Sequence, residues 1–325
     1  MTISEIQSYI GTIGQDPSLF EERNFAQRIE VIDFIGFPVM NKVGDLLQKA
    51  DRVGESQKMD QARELMLLKQ QAERVRAALE AVDNRLFQRL RASIGTGVYT
   101  GKAFKDMVAA YVDLTPDDDG QQEGSGYDNL DIFTNGLFLF EEIPEQTREL
   151  EPEMVYYQKT PARVVFELAA KTRFMATDVF FDLGSGLGQV AILVHLLAGI
   201  RVIGVELEPA FCGYARNCAA ALHLTDVEFV NADARKADYS RGTIFFMFTP
   251  FRGAILREVL EMLRKEALAR KITILTYGPC SAEVAAQGWL YPATADSDDS
   301  YTLRVFSSRS AGPEPAALLP APGQS

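Results

Sequence analysis

The stretch FFDLGSGLGQ, residues 180–189, sets an aspartate and three alternating glycines between two apolar runs. Short apolar segments recur around it in a regular alternation. Strands are expected at 179–183, 201–205, 227–230, 244–248 and 272–277, with helices at 188–197, 209–222 and 254–269. Strands that are apolar throughout, without alternation, are buried on both faces, so the pattern implies a parallel sheet covered by helices on each side. After the fifth strand come GWLYPAT (288–294) and YTLRVFSS (301–308), joined by the acidic turn ADSDDS (295–300), which read as a terminal hairpin. The expected fold is α/β: a seven-stranded, mostly parallel Rossmann-like sheet with a final antiparallel pair, preceded by an N-terminal helical domain.

The composition sets outer bounds. A chain of 325 residues, 47% of them hydrophobic, can bury a sizeable core and has room for two domains. Acids outnumber bases 45 to 33, a net charge of −12, which opposes a dedicated nucleic-acid-binding face, so nucleic acid is not expected as the direct substrate. Cys212, Cys218 and Cys280 form no CxxC pair, and His195 and His223 supply no zinc-site spacing. Reduced, buried thiols and no metal are expected. The start MTISEIQSYIGTIGQDPS lacks the basic opening and long apolar core of a signal peptide, and no run reaches the roughly 18 apolar residues of a membrane span. The expected location is the cytoplasm, without membrane association.

Residues 1–112 read as helical. From 57 to 93, Leu65, Leu68, Ala72, Val75, Leu79, Val82, Leu86 and Leu90 step by threes and fours along one face. That stripe either packs on shorter helices at 25–35 and 39–50 or forms a coiled-coil seam between two copies, a homodimer through the N-terminal helices. Ala72 and Ala78 weaken a leucine-type seam and favour the first arrangement. Residues 113–150 read as a link: the solvated loop TPDDDGQQEGSG (115–126), then a short helix within YDNLDIFTNGLFLFEEIP (127–144) lying over the next domain. Residues 151–310 form the α/β domain, and the Pro- and Ala-rich 311–325 an expected disordered tail.

Ligands of open α/β sheets bind beyond the carboxyl ends of the strands, where the strand order reverses. Gly184, Gly186 and Gly188 follow the first strand and let the backbone turn sharply and approach a ligand. The dinucleotide fingerprint G-x-G-x-x-G fails, because Gln189 stands where its third glycine belongs. Asp182 would also repel a pyrophosphate. A cationic ligand reverses that sign, and S-adenosyl-L-methionine carries a sulfonium, an ammonium and no phosphate. Glu206 ends the second strand, 18 residues past Gly188, where a carboxylate can accept both ribose hydroxyls. Asp233, in VEFVNADA, is the candidate acceptor for the adenine amine. In FFMFTPFRG, Thr249, Pro250 and Phe251 are expected to face the methyl group with a hydroxyl, a fixed bend and an aromatic wall. Methyl transfer asks for an in-line approach of roughly 3 Å and little acid–base machinery. The competing readings are an NAD-linked oxidoreductase, which the glycine spacing and terminal hairpin oppose, and a non-catalytic cofactor-binding interaction protein.

With those residues placed, the chain resembles class I S-adenosylmethionine-dependent methyltransferases. Residues 153–280 resemble, more narrowly, the catalytic core of histone lysine methyltransferases of the disruptor-of-telomeric-silencing family. The resemblance rests on YQKTPARVVFELA, FFDLGSGLGQVAILV, GVELEPAFCGYA, NADARK and FFMFTPFRG. It implies that Tyr157 and Thr160 close over the methionine moiety, with Asp182, Gly184, Gly186 and Gln189 around it; Ser185 and Gly188 of the same turn complete the expected cofactor-binding set. It further implies Glu206 on the ribose, and Asp233 with Ala234 at the adenine. The chain departs from the family at Phe248 and Thr249, where the family carries paired asparagines lining the lysine channel, and at Ala234, where it carries an aromatic. The acceptor stays open between a protein lysine amine and a small molecule.

Overall fold

The computed structural model describes residues 1–50, 55–115, 127–138, 142–294 and 299–308. The chain divides into two compact units, Met1–Glu142 and Ile143–Ser325.

The first unit is helical: α1 (Ile3–Gln15), α2 (Phe25–Phe34), α3 (Met40–Ala50), α4 (Glu55–Ile94), α5 (Lys102–Ala109) and α6 (Asn129–Phe138). Thr2 and Glu5 close a capping box at the start of α1, each side chain taking the other's backbone amide. Between α2 and α3 the chain does not break; it passes through one π-helical turn, Ile35–Val39. Pro38 has no N–H and crowds the turn before it, and a widened turn accommodates both facts. The long stripe on α4 is buried, with Leu65, Leu68, Ala72, Leu79, Val82, Leu86 and Leu90 no more than 2% exposed. It packs against α1, α2, α3 and α6 of the same chain. The apolar seam that a coiled-coil homodimer would use on this face is therefore already covered. Arg28, fully buried on α2, pairs with Asp83 of α4 at 2.7 Å and donates to the carbonyls of Leu19, Glu21 and Glu22. The short helix α6 packs within this unit. Phe133 meets Phe25 and Phe87 edge-on and stacks on Tyr111. All but Thr115 of the loop expected at 115–126, and the tail at 311–325, lie outside the described residues, as does most of the turn after Thr294.

The second unit comprises α7 (Ala162–Lys171), β1 (Val179–Leu183), α8 (Gln189–Ala198), β2 (Arg201–Glu206), α9 (Pro209–Ala221), β3 (Val227–Asn231) and β4 (Ile244–Met247). These are followed by α10 (Gly253–Ala269), β5 (Thr273–Thr276), α11 (Cys280–Ala285), β6 (Leu290–Pro292) and β7 (Arg304–Ser308). The strand order is β3-β2-β1-β4-β5-β7-β6, with the first five strands parallel and β7 antiparallel to both neighbours. This is the expected seven-stranded plan. The order reverses between β1 and β4, which opens a crevice at their carboxyl ends. Beneath that crevice Phe181 stacks on Phe245 at 5.5 Å, and Tyr239 meets both rings edge-on. Burying each aromatic contributes roughly 1.5–3 kcal/mol. Ile255, Val259 and Leu263 of α10 complete this face. No helix among the described residues is long and apolar enough to cross a membrane.

One capping contact ties distant sequence to this sheet. Arg252 precedes α10 without capping it; the carboxylate of Glu153 accepts the Ile255 amide at 3.0 Å instead. Amides of Ala254 and Ile255 hold the Glu153 carboxyl below its ordinary range. Gly253, at φ +56°, makes the approach feasible, because a Cβ there would lie 2.1 Å from Glu153 Oε1. Glu153→Ala is expected to speed amide exchange at Ala254 and Ile255 several-fold while leaving the middle of α10 unchanged, as read by hydrogen exchange.

Candidate functional site

Gly184, Gly186 and Gly188 all have positive φ, +77°, +52° and +83°. They do not leave open space for a ligand; the protein itself fills the volume each Cβ would need. Pro250 lies 2.4 Å from the Cβ position of Gly184, and the Tyr157 ring 2.3 Å from that of Gly186. At Gly188 the neighbours are Phe229 and Ala215, at 2.6 and 2.7 Å. The first two glycines thus draw the loop after β4 and the ring of Tyr157 against the turn. Gly188 lets α8 pack on β3 and α9, the close helix–strand contact that dinucleotide folds assign to their third glycine. Gly184, Ser185 and Gln189 line the cleft above the sheet; Gly186 and Gly188 do not.

That cleft encloses about 1400 Å³, including its open mouth. Asp182, Glu206 and Asp233 enter it from the ends of β1, β2 and β3. Glu206 accepts the Gly186 amide at 2.7 Å on one oxygen and the Glu208 amide at 2.8 Å on the other. The strand-end acid therefore also fixes the shape of the glycine turn. Asp182 is 3% exposed, and its Oδ2, like Ser185 Oγ, is buried with no hydrogen-bond partner among the described residues. Burial, reinforced by the charge of Glu206, pushes the Asp182 carboxyl up to about 8, against the pull of the Ala191 amide. Burial raises Glu206 as well. Two carboxylates in one desolvated crevice do not both ionise readily, so the pair holds a proton near neutral pH.

Asp233 is in the opposite condition. Arg235 donates to both of its oxygens, at 3.0 and 2.7 Å, and adds its backbone amide at 2.8 Å. Those bonds hold the Asp233 carboxyl below its ordinary range. The same guanidinium reaches Glu151 at 2.6 Å. The candidate adenine acceptor is thus already engaged and keeps few lone pairs for a further donor. Ala234 lines the wall beside it and accepts the Tyr239 hydroxyl on its carbonyl at 2.7 Å.

Residues 146–158 form a strap along the cleft, and its fastenings were not foreseen. Glu208 accepts the Thr147 amide and hydroxyl at 3.0 and 2.6 Å and the Arg148 amide at 2.8 Å, while capping α9 through Ala210 at 3.0 Å. Burial alone would raise the Glu208 carboxyl, but the bonds from Thr147, Ala210 and Arg148 leave it lowered. Val155 donates to the Pro250 carbonyl at 3.1 Å and Arg252 to the Glu153 carbonyl at 2.9 Å, around a bridge between Met154 and Phe251. Tyr157 then leans on Phe211, ring centroids 5.5 Å apart, and Thr160 is buried; all three line the cleft. The available signal was the second acid of VELEP, placed just before Pro209 where a helix needs a cap.

Thr249, Pro250 and Phe251 all line the cleft, but the Thr249 hydroxyl is occupied. It donates to the Tyr277 carbonyl at 3.2 Å and accepts the Cys280 amide at 3.1 Å, locking the loops after β4 and β5 together. Thr249 does this at φ +42°, a conformation rare for a β-branched residue and retained at functional loops. Next to it Phe248, Tyr277 and Tyr301 form a three-ring cluster, with centroids 5.0, 6.3 and 5.7 Å apart. Among the described residues no group of His, Cys, Asp or Glu side chains is placed to hold a metal ion.

Residues 152–246 match the model of a family described as histone methylation protein DOT1. No curated protein matches the chain in sequence. Among solved structures, it is similar to an RNA methyltransferase from Salinibacter ruber in complex with S-adenosyl-L-homocysteine. There the identity is 25% over 46% of this chain and 92% of that one, with a TM-score of 0.36. A S-adenosylmethionine-dependent methyltransferase from Thiobacillus denitrificans, also with S-adenosyl-L-homocysteine, is 25% identical over 36% of this chain and 48% of that one, TM-score 0.31. A precorrin-6y C5,15-methyltransferase from Geobacter metallireducens is 16% identical over 49% and 93%, TM-score 0.37. The strand order is that of a class I methyltransferase fold, and residues 152–246 within it are similar to the DOT1 family model.

Proposed function

We propose that the chain is an S-adenosyl-L-methionine-dependent methyltransferase, holding the cofactor over the ends of β1, β2 and β3 and methylating a nucleophile that enters past the loop after β4. The observation that carries this reading is the buried carboxyl pair of Asp182 and Glu206, both lining the cleft, with one Asp182 oxygen buried and without a hydrogen-bond partner among the described residues. A phosphate would be repelled there, whereas a ligand with an ammonium, a sulfonium and ribose hydroxyls fits the donor set. The DOT1-family match over the same residues supports it.

In this reading Asp182, Ser185 and Gln189 receive the methionine end, and Tyr157 and Thr160 cover it. Glu206 takes the ribose hydroxyls on lone pairs left free by the Gly186 and Glu208 amides. Asp233 offers its remaining lone pair to the adenine amine, beside Ala234. Pro250 and Phe251 wall the approach to the methyl group, and Thr249 positions them. Bound there, the cofactor supplies an electrophilic methyl on a positively charged sulfur. The family match supports a protein lysine as acceptor; the replacement of asparagines by Phe248 and Thr249 supports a small molecule.

Titration calorimetry with S-adenosyl-L-homocysteine tests the cofactor site, and absence of binding ends this reading. Protonation adds a second measure. Asp182 holds its proton below about pH 8 when the cleft is empty and gives it up to a cationic ligand. Calorimetry of S-adenosyl-L-methionine at pH 7 in buffers of different ionisation enthalpy should therefore show release approaching one proton. Affinity should climb by up to about tenfold per pH unit towards pH 8, then level off.

A further inference from the structure

We propose that the methyl acceptor is a flat aromatic small molecule with a phenolic hydroxyl and an anionic substituent, a phenolic acid, and not an aliphatic amine. The proposal rests on the cofactor reading above and concerns the other half of the same cleft. The lining of the cleft runs on from the ends of β1, β2 and β3 to the loops after β4 and β5 and before β7, the side from which an acceptor would meet the cofactor.

The loops after β4 and β5 and before β7 line that second half with Phe248, Thr249, Phe251, Arg252, Pro279 and Tyr301. Phe248, Tyr277 and Tyr301 brace one another at interplanar angles of 59°, 78° and 71°. Rings packed edge to face in this way form a stiff wall, and a flat ring completes such a cluster by offset or edge-on contact. Their short spacing leaves no gap between them for an ammonium cage.

Charge points the same way. Among the described residues these loops bring no carboxylate and no side-chain amide to the cleft. The one ionic group that the described residues of these loops bring to the cleft lining is the Arg252 guanidinium, which forms no ion pair or hydrogen bond among the described residues. An ammonium entering here would meet a like charge, and a neutral amine would find the Thr249 hydroxyl already bridging Tyr277 and Cys280. Aromatic walls do attract cations, but Arg252 opposes a second one. A carboxylate on the acceptor ring satisfies Arg252 by a charge-assisted, two-pronged bond and orients the ring. In the transfer, a lone pair of the phenolic oxygen bonds to the methyl carbon and the carbon–sulfur bond breaks with its pair passing to sulfur. The phenolic proton goes to water, leaving a methyl ether and S-adenosyl-L-homocysteine.

The test uses the full chain with methyl-labelled S-adenosyl-L-methionine and four acceptors: 4-hydroxybenzoate, 3,4-dihydroxybenzoate, 3,4-dihydroxycinnamate and core histones. Label is expected on at least one phenolic acid, at a higher rate than on histones. Arg252→Gln should lower kcat/KM for that acid about tenfold or more, Arg252→Lys less, and Phe248→Ala by a similar factor. All three should leave S-adenosyl-L-homocysteine affinity within about twofold. Because Arg252 is exposed, its variants keep the test valid even if Phe248→Ala fails to fold. Homocysteine-product binding with no labelled phenolic acid overturns the proposal while sparing the cofactor site, as does faster labelling of histones or an indifferent Arg252→Gln. Failure to bind S-adenosyl-L-homocysteine at all overturns both.

Discussion

Asp182→Asn should raise the thermal midpoint of the ligand-free protein at pH 8 and, in the same preparation, weaken S-adenosyl-L-methionine about 50-fold. The stabilising half follows from proton linkage. In the folded chain the Asp182 carboxyl sits at about 8, pushed up by burial and by Glu206, against roughly 3.9 for an exposed aspartate. Below about pH 4 both states are protonated and the group is neutral in the balance. Between about pH 4 and 8 the unfolded chain ionises and the folded chain does not, so this group's contribution falls as pH rises through that window. At about 1.4 kcal/mol per unit, the loss reaches several kcal/mol by pH 8. Asparagine ionises in neither state and removes the penalty; with roughly 2–4 °C per kcal/mol for a unit of this size, a midpoint gain of at least about 5 °C is expected. The binding half follows because asparagine cannot present a negative charge to a sulfonium or ammonium. A lost charge-assisted contact of this type costs about 1.5–3 kcal/mol, or 10- to 150-fold. Scanning calorimetry from pH 5 to 9 and titration calorimetry at pH 8 read both halves. A flat midpoint difference across that range would show that Asp182 is not strained in the empty cleft, and undiminished affinity that it touches no cation.

Such opposed effects on one residue mark a site built for function at the expense of stability, and they bear on what could be seen before the structure. The strands were legible because a strand covered on both faces is apolar at every position, and all five parallel strands fall within one residue of their expected ends. Asp182, Glu206 and Asp233 were legible for the same reason: once strand ends are known, an acid at each end faces the crevice. Their states were not legible. Asp233 is held by its near neighbour Arg235, whose guanidinium is also anchored by Glu151 from 84 positions away, while Asp182 keeps an unpartnered oxygen among the described residues. Glu153 capping α10, and Thr249 joining two loops, are contacts across long sequence separations that no local pattern records. α6 shows a different limit. Its apolar residues announce a buried helix, but not whose core it enters, and the rings of Phe25, Phe87 and Tyr111 decide that.

Glu206→Ala should reduce S-adenosyl-L-homocysteine affinity by at least about 100-fold, the largest loss expected from any single change in the cleft. Two hydrogen bonds to a carboxylate, each worth about 1.5–3 kcal/mol, set that scale. The substitution also releases the Gly186 and Glu208 amides, both within 2.8 Å of the carboxylate, so the glycine turn loses its anchor along with the ribose. Glu206→Gln separates the two contributions. Its carbonyl oxygen can still receive one amide and one hydroxyl, but its NH₂ must face the other amide, donor against donor. Near-isosteric glutamine should therefore still cost at least about 30-fold, and amide exchange at either Gly186 or Glu208 should quicken with it. If glutamine binds as the parent does, charge and acceptor geometry at the end of β2 are both irrelevant to the ligand. If alanine folds and binds within about threefold, the sugar lies elsewhere, and the crevice between β1 and β4 must hold the ligand by contacts that do not pass through the second strand.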